Sequence, residues 1–309
     1  MQTRRIGSLD VTVIGLGGNN FGRRLDEEGT REVVHAALDA GIGFIDTADI
    51  YGGTLSEEYL GRLLGSLRDD VVLATKFGMA VDEERQGAHP DYVRRALEDS
   101  LRRLRTDRID LYQLHRPDPD VPIADTLGVL DDLVREGKVR EIGCSNFSTA
   151  QLREARQAVR PGGARFVSVQ NEYSLLHRSP EGGMLEECRR SGTAFIPYFP
   201  LAGGLLTGKY RRGQAPPAGS RLATTPRTDV FDDDAMRIVE ALRAFAERRG
   251  HTLLELAISW LLTREPVATV IAGATRPEQV RANVAAAGWR LSDQELAAVN
   301  GMTRETVRV

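Results

Sequence analysis

Asp46 and Tyr51 lie five residues apart in the stretch Asp46-Thr47-Ala48-Asp49-Ile50-Tyr51, with Gly52-Gly53 behind them. A tyrosine phenol, with an ordinary pKa of about 10, is a poor acid at neutral pH. A neighbouring ammonium favours the phenolate and lowers that pKa, and a carboxylate beside the ammonium keeps it charged and positioned. Lys76 is the candidate ammonium. Only three of the 41 basic residues are lysines (Lys76, Lys138 and Lys209), so a lysine ending an apolar run is not this chain's ordinary surface charge. Asp46, Tyr51 and Lys76 then make a relay with Tyr51 as general acid. His115 adds a hydrogen-bond donor for a carbonyl oxygen. The set suits reduction of a C=O group, in which hydride reaches carbon and a proton reaches oxygen. Something else must supply the hydride, so a nicotinamide cofactor is implied. Each residue alone has a plainer reading: Asp46 as a helix cap, Lys76 snorkelling to solvent, His115 as a satisfied core histidine.

The elements that must position these residues show a repeating rhythm. Short apolar runs cover Val13–Gly17, Gly43–Asp46, Val71–Lys76, Ile109–His115, Val139–Cys144, Phe166–Gln170, Ala194–Tyr198 and Ala268–Gly273. Helical patterns lie between them. One runs from Thr30, a plausible N-cap, to Ala40 and stops at Gly41; another opens at Ser56-Glu57-Glu58. Asp91–Leu104 carries Val93, Leu97, Leu101 and Leu104 on one face. Further helices begin near Pro122, Ser148, Glu181, Leu253 and Pro277. Alternating strands and helices predict a parallel sheet, and eight such units in one chain predict an α/β fold of the closed (β/α)8 TIM-barrel type. In such a barrel, Asp46, Lys76, His115, Ser145, Asn146 and Gln170 all fall at the C-terminal strand ends, where barrel enzymes place their sites. Thr3–Ile6 and Leu9–Val13 flank Gly7-Ser8, an N-terminal β-hairpin that can plug the barrel bottom. Residues 202–234 form a long Gly-, Pro- and Arg-rich connection, of the kind that is functional in a compact domain. Two consecutive helices follow, over 232–249 and 252–263, and a short one starts at Ser292-Asp293-Gln294-Glu295, so the fold carries extra helices. With no break in composition, 1–309 reads as a single domain.

Composition narrows the partners. A net charge of −3 with 28% charged residues gives no electrostatic case for nucleic acid or an anionic membrane, and no apolar stretch is long enough to span a bilayer. Met1–Arg5 lead into no apolar segment, so no signal peptide is expected, and Cys144 and Cys188 make no disulfide framework. A reducing cytoplasm is the simplest location, and a monomer the default state. The five histidines (His35, His89, His115, His177, His251) show no ligand spacing, so no metal is expected. His89 lines a substrate mouth or simply faces solvent. Cys144 reads as a small buried hydrophobe, and Trp260 and Trp289 as packing.

The chain resembles the aldo-keto reductase superfamily. The resemblance rests on Gly15-Leu16-Gly17, Phe44-Ile45-Asp46-Thr47-Ala48-Asp49-Ile50-Tyr51, Ala74-Thr75-Lys76-Phe77-Gly78, Asp110-Leu111-Tyr112-Gln113-Leu114-His115-Arg116-Pro117, Ile142-Gly143-Cys144-Ser145-Asn146-Phe147, Val169-Gln170-Asn171-Glu172-Tyr173 and Ile271-Ala272-Gly273-Ala274. Together they span about residues 4–290. The resemblance implies a (β/α)8 barrel that binds NADP(H) without a Rossmann fold, and a catalytic tetrad of Asp46, Tyr51, Lys76 and His115. It implies that Ser145, Asn146 and Gln170 hold the nicotinamide carboxamide and that Tyr198 stacks on its face. Gly17, Gly18, Asn19 and Asp46 are implied cofactor contacts at the first two strand ends. Phe199, Pro200, Leu201, Ala202 and Gly203 begin the loop over the pyrophosphate, where Lys209 and Arg221 offer cations. Gly273, Thr275, Arg276, Gln279 and Asn283 match the adenosine end, at the start of a helix as the physics of anion binding favours.

The sequence also departs from the family pattern. Asn19-Asn20 stands where an aromatic residue is frequent, and Gly273-Ala274 where Lys-Ser is frequent. The 2′-phosphate is then left to Thr275, Arg276 and Gln279. The stretch Tyr198–Tyr210 is closest to the bacterial and potassium-channel β-subunit-like branch. The implied activity is NADPH-dependent reduction of an aldehyde or ketone, with Asn20, Tyr51, Arg116, Asp118 and the 202–234 connection as candidate substrate walls. A weakly catalytic NADP(H)-binding redox sensor is the alternative. A phosphate-binding barrel isomerase is a third reading. A Rossmann dehydrogenase is weaker, since Gly15-Leu16-Gly17-Gly18-Asn19-Asn20 lacks the third glycine of that fingerprint.

Overall fold

A computed structural model describes residues 1–224 and 233–303. The chain opens with a hairpin of β1 (Thr3–Ile6) and β2 (Leu9–Thr12), turned by Gly7 at φ +56°. The first barrel unit follows, with β3 (Ile14–Gly17) and α1 (Glu27–Asp39), and the second, with β4 (Phe44–Asp46) and α2 (Leu55–Leu64). Next come β5 (Val72–Phe77) with α3 (Pro90–Leu104), β6 (Ile109–Leu114) with α4 (Ile123–Arg135), and β7 (Val139–Ser145) with α5 (Thr149–Ala158). Then β8 (Phe166–Glu172) leads to α6 (Met184–Ser191). After β9 (Ala194–Tyr198) come a 3-10 segment (Ala202–Thr207) and three helices: α7 (Arg221–Thr224), α8 (Asp233–Glu247) and α9 (Leu253–Leu262). The last unit is β10 (Val270–Gly273) with α10 (Pro277–Ala285), followed by α11 (Asp293–Met302).

Strands β3 to β10 form one parallel sheet in the order β10-β3-β4-β5-β6-β7-β8-β9. Phe195 closes it: its N–H donates to the Pro266 carbonyl and its own carbonyl accepts from the Ala268 N–H. This is the expected (β/α)8 barrel. Its inner core joins Phe44, Ala74, Leu111, Val167, Ile196 and Ile271 to Ile6, Leu9 and Val11 of the hairpin. The hairpin therefore plugs the barrel's N-terminal end, as the sequence suggested. Arg4 fastens it by donating to the carbonyls of Leu262 and Val267.

Two helix starts differ from expectation, those of α1 and of the helix after β8, while α2 opens with its acids in the first turn as expected. Helix α1 is capped by Asp26, whose side chain accepts from the Gly29 N–H, and Thr30 sits inside the first turn donating its hydroxyl to the Asp26 carbonyl. Helix α2 starts at Leu55 after Thr54, which has φ +82° and makes no side-chain cap. There Ser56 and Glu57 turn inward: Ser56 bonds Thr47 and the Gly18 carbonyl, and Glu57 pairs with Arg103 and accepts from Thr75. The helix expected at Glu181 starts at Met184, because Ser179–Gly182 forms a separate 3-10 turn and Gly183, at φ +130°, breaks it from the helix. The other expected helix starts are present. Ser148, Thr252 and Ser292 each form a capping box with Gln151, Glu255 and Glu295. Part of the expected 202–234 loop and the first expected residue of the helix after it lie outside the described residues.

Candidate active site

Parallel register brings the polar strand ends together. Asp46 pairs with Gly17 on one side and Ala74 on the other, Lys76 with Gln113, and Ser145 with Gln170. Lys76 has no exposed surface. Its Nζ donates to Asp46 Oδ2 at 2.5 Å, to the Thr47 carbonyl at 2.9 Å and to the Tyr51 hydroxyl at 3.5 Å. Asp46 Oδ1 accepts from Gln113 Nε2 at 3.1 Å and Gln170 Nε2 at 2.9 Å. The carboxylate thus has donors on both oxygens, which a buried anion requires. The Tyr51 and His115 rings meet edge to face at 5.9 Å. The four residues expected to act together do lie together.

The electrostatics correct one expectation. Burial pushes the Tyr51 phenol above its ordinary pKa, and the opposing pull of Lys76 does not reverse it. The phenol is a neutral O–H donor at neutral pH. Burial pulls the Lys76 pKa down most strongly, but the Asp46 carboxylate and the Tyr51 hydroxyl together outweigh it and raise the ammonium's pKa. His115 is pushed down to about 2, by burial first and then by the charges of Lys76 and Arg116. It is therefore a neutral imidazole, and its Nδ1 has no partner among the described residues.

Asp46, Tyr51 and His115 line one cleft of about 750 Å³ at the C-terminal face, with Lys76 buried behind them. Ser145, Asn146 and Gln170 form one wall. Asn146, at φ +61°, donates to the His115 carbonyl at 2.9 Å and accepts from the Tyr198 hydroxyl at 2.8 Å, which fixes the Tyr198 ring at the cleft edge. Phe199 is also left-handed, at φ +49°, and Arg221 lies over its ring at 5.1 Å. Left-handed non-glycine residues store strain of roughly 1–3 kcal/mol each and gather at functional sites. Gly17, Gly18, Asn19, Pro200, Leu201, Gly203 and Lys209 continue the wall, and Gly273, Thr275, Gln279 and Asn283 close the far end. The Gln279 side-chain oxygen, Oε1, accepts from the Thr275 N–H at 2.7 Å, which leaves its amide nitrogen Nε2 as a donor.

Some expected residues lie elsewhere. Ala202 is buried behind the loop, and Arg276 is the N-cap residue of α10 without reaching the wall. Of the expected substrate walls, Asn20, Tyr51 and Arg116 line the cleft. Asp118 does not: its carboxylate accepts from the N–H groups of Ala88 and Asp120 and pins the loop. His89 caps α3. Sequence reasoning missed Arg23, Arg24, Met79, Glu278 and Leu254 on the wall. Arg23 and Arg24 carry no signal in so arginine-rich a chain, whereas Glu278, next to the expected Gln279, was within reach. Among the described residues no cluster of three or more metal-ligating side chains is present, and no helix is long and apolar enough to cross a membrane.

The chain and its fold are similar to known proteins. The family model "Aldo/keto reductase family" matches residues 13–304. The chain is 35% identical to the aldo-keto reductase str7 of Strobilurus tenacellus, over 99% of this chain and 93% of that protein. It is 33% identical to the aldo-keto reductase YhdN of Bacillus subtilis, over 97% and 92%. Among solved structures, the glycerol dehydrogenase AKR11B4 from Gluconobacter oxydans superposes with a TM-score of 0.85 at 31% identity, covering 99% of this chain and 96% of its own. The holo form of AKR11C1 from Bacillus halodurans gives 0.82 at 31% identity, covering 98% and 96%. Proteins of this kind are oxidoreductases acting on carbonyl and alcohol groups. The chain belongs to the aldo/keto reductase family.

Proposed function

We propose that the protein is an NADPH-dependent carbonyl reductase that converts an aldehyde or ketone to its alcohol. The observation that carries this reading is the buried Lys76 ammonium, held at 2.5 Å by Asp46 and reaching the Tyr51 hydroxyl at 3.5 Å. The cleft suits a dinucleotide. Its wall combines amide, hydroxyl and cationic side chains with the glycines Gly17, Gly18, Gly203 and Gly273. Ser145, Asn146, Gln170 and Tyr198 would hold the nicotinamide end, Lys209 and Arg221 the phosphates, and Thr275, Gln279 and Asn283 the adenosine end. Lys209 and Arg221 suit the cofactor's phosphates, and at the adenosine end Gln279, whose side-chain oxygen is engaged by the Thr275 N–H, offers its amide nitrogen to a 2′-phosphate.

When bound, the nicotinamide supplies the hydride. The remaining work falls to the chain. Tyr51 and the neutral His115 both hydrogen-bond the substrate oxygen and polarise the carbonyl. As the oxygen becomes basic, Tyr51 gives up its proton. Lys76 stabilises the phenolate left behind, and Asp46 keeps Lys76 charged and aligned. In the alcohol-oxidising direction the same phenolate accepts the proton. All four groups are in contact, which favours turnover over a purely regulatory role.

The test is a fluorescence titration with NADPH and NADH, followed by oxidation of bound NADPH by 4-nitrobenzaldehyde. NADPH is expected to bind more tightly and to turn over. Tyr51→Phe is expected to lower kcat by about 10²–10⁴-fold while cofactor binding is retained. A Tyr51→Phe variant as fast as the parent would overturn the assignment.

A further inference from the structure

We propose that the cleft selects carbonyl substrates that carry an anionic group, a carboxylate or a phosphate, and that Arg116 is the anchor for it. This rests on the carbonyl-reductase reading above. Arg116 directly follows His115 and lines the cleft with an exposed side chain. Among the described residues its guanidinium has neither an ion pair nor a hydrogen bond, although many of this chain's surface arginines are paired with acids. Its charge acts at the reacting end, since it helps to hold His115 neutral and also bears on Tyr198. Lys209 and Arg221 come from a different part of the chain, the segment after β9, where Arg221 opens α7.

The opposite side of the mouth is also cationic. Arg23 and Arg24 line the cleft on the loop after β3. That loop backs onto the segment after Tyr51: a Cβ on Gly22 would meet the Leu55 side chain, and one on Gly52 would meet the Phe21 carbonyl. Arg24 donates to the Gly219 carbonyl, while Arg23 keeps an unpaired guanidinium among the described residues. The two acids on the cleft wall are Asp46 and Glu278. Asp46 is neutralised by Lys76, and Glu278 lies on α10. The protein's net charge is −3, yet the mouth above Tyr51 and His115 is positive. A cleft of one sign focuses its field and concentrates substrates of the other sign. Ile50, Met79 and Phe199 add apolar wall, which suits a short apolar spacer between carbonyl and anion.

The experiment compares matched pairs with NADPH: 4-carboxybenzaldehyde against methyl 4-formylbenzoate, and D-glyceraldehyde 3-phosphate against D-glyceraldehyde. The parent is expected to prefer the anionic member of at least one pair by about tenfold or more in kcat/KM, through KM. The pair that shows it tells carboxylate from phosphate. The preference is expected to shrink between about 0.05 and 0.5 M salt. Arg116→Gln is expected to bring the ratio to within about twofold of unity, while Arg116→Lys, which keeps the charge, retains most of it. Equal use of both members in both pairs, or an unchanged ratio in Arg116→Gln, overturns the anionic-substrate inference and leaves the reductase reading standing. No turnover of any of the four aldehydes with either cofactor overturns both.

Discussion

Lys76 keeps its charge without touching water because one carboxylate, itself held by two glutamine amides, faces it. Removing either member of such a pair leaves an uncompensated buried charge, at a cost of about 3–5 kcal/mol. Lys76→Met is therefore expected to lower the denaturant midpoint by an amount equivalent to that range, and to slow carbonyl reduction by at least about 10²-fold. A variant as stable as the parent would show that the pair is not what keeps Asp46 buried. Much of this was legible in the sequence, since polar residues ending consecutive apolar runs must share one barrel face. The sign of the Tyr51 shift was not legible. A lysine near a tyrosine suggests a lowered pKa, but how far each is desolvated depends on what packs over them, and here burial outweighs the ammonium.

The segment between β4 and α2 carries both Tyr51 and an acid with no evident role in the reaction. Asp49 is buried, and neither carboxylate oxygen has a hydrogen-bond partner among the described residues. Burial, reinforced by Glu57 on α2, raises it to about 8, against relief from Arg103, the nearby Ile50 amide and Lys76. Folded Asp49 keeps its proton in the window from its ordinary value of 3.8 up to about 8, where the unfolded chain has lost it. The folded state binds more protons there, so this group's contribution to stability falls as pH rises through that window. Asp49→Asn, which resembles the neutral acid, is expected to match the parent's Tm only at or below about pH 3.8, and to exceed it increasingly as the pH rises. At pH 9 it should exceed the parent by roughly 3–8 °C. Parallel Tm-versus-pH curves for the two proteins would refute this. Helix starts at this scale were legible where the cap is local, as at Ser148, Thr252 and Ser292. They were not where a tertiary partner wins: Glu57 looks like a first-turn acid favouring the helix dipole, but it belongs to Arg103 and Thr75.

At the scale of the whole barrel, stability and chemistry occupy opposite ends. The eight-unit rhythm and the hairpin plug were legible because each depends on local periodicity and one tight turn. The covering connection after β9 was not, because its contacts are distant in sequence: Arg24 reaches the Gly219 carbonyl, and Arg221 lies over Phe199. The plug gives the separation a direct test. Ile6 is fully buried in the inner core beside Phe44 and Ile271, whereas Tyr51 and His115 line the cleft at the other end. Truncating a buried isoleucine to alanine removes apolar contact and leaves a cavity, costing about 2–5 kcal/mol. Ile6→Ala is therefore expected to lower the unfolding free energy by that amount while kcat and cofactor KM at 25 °C stay within about twofold of the parent. The inner core is continuous from plug to strand ends, so a transmitted shift would appear as a fall in kcat larger than the fraction of unfolded protein accounts for. Such a fall would mean that the hairpin helps to set the alignment of Asp46 and Lys76, and that the two ends of this barrel are mechanically coupled.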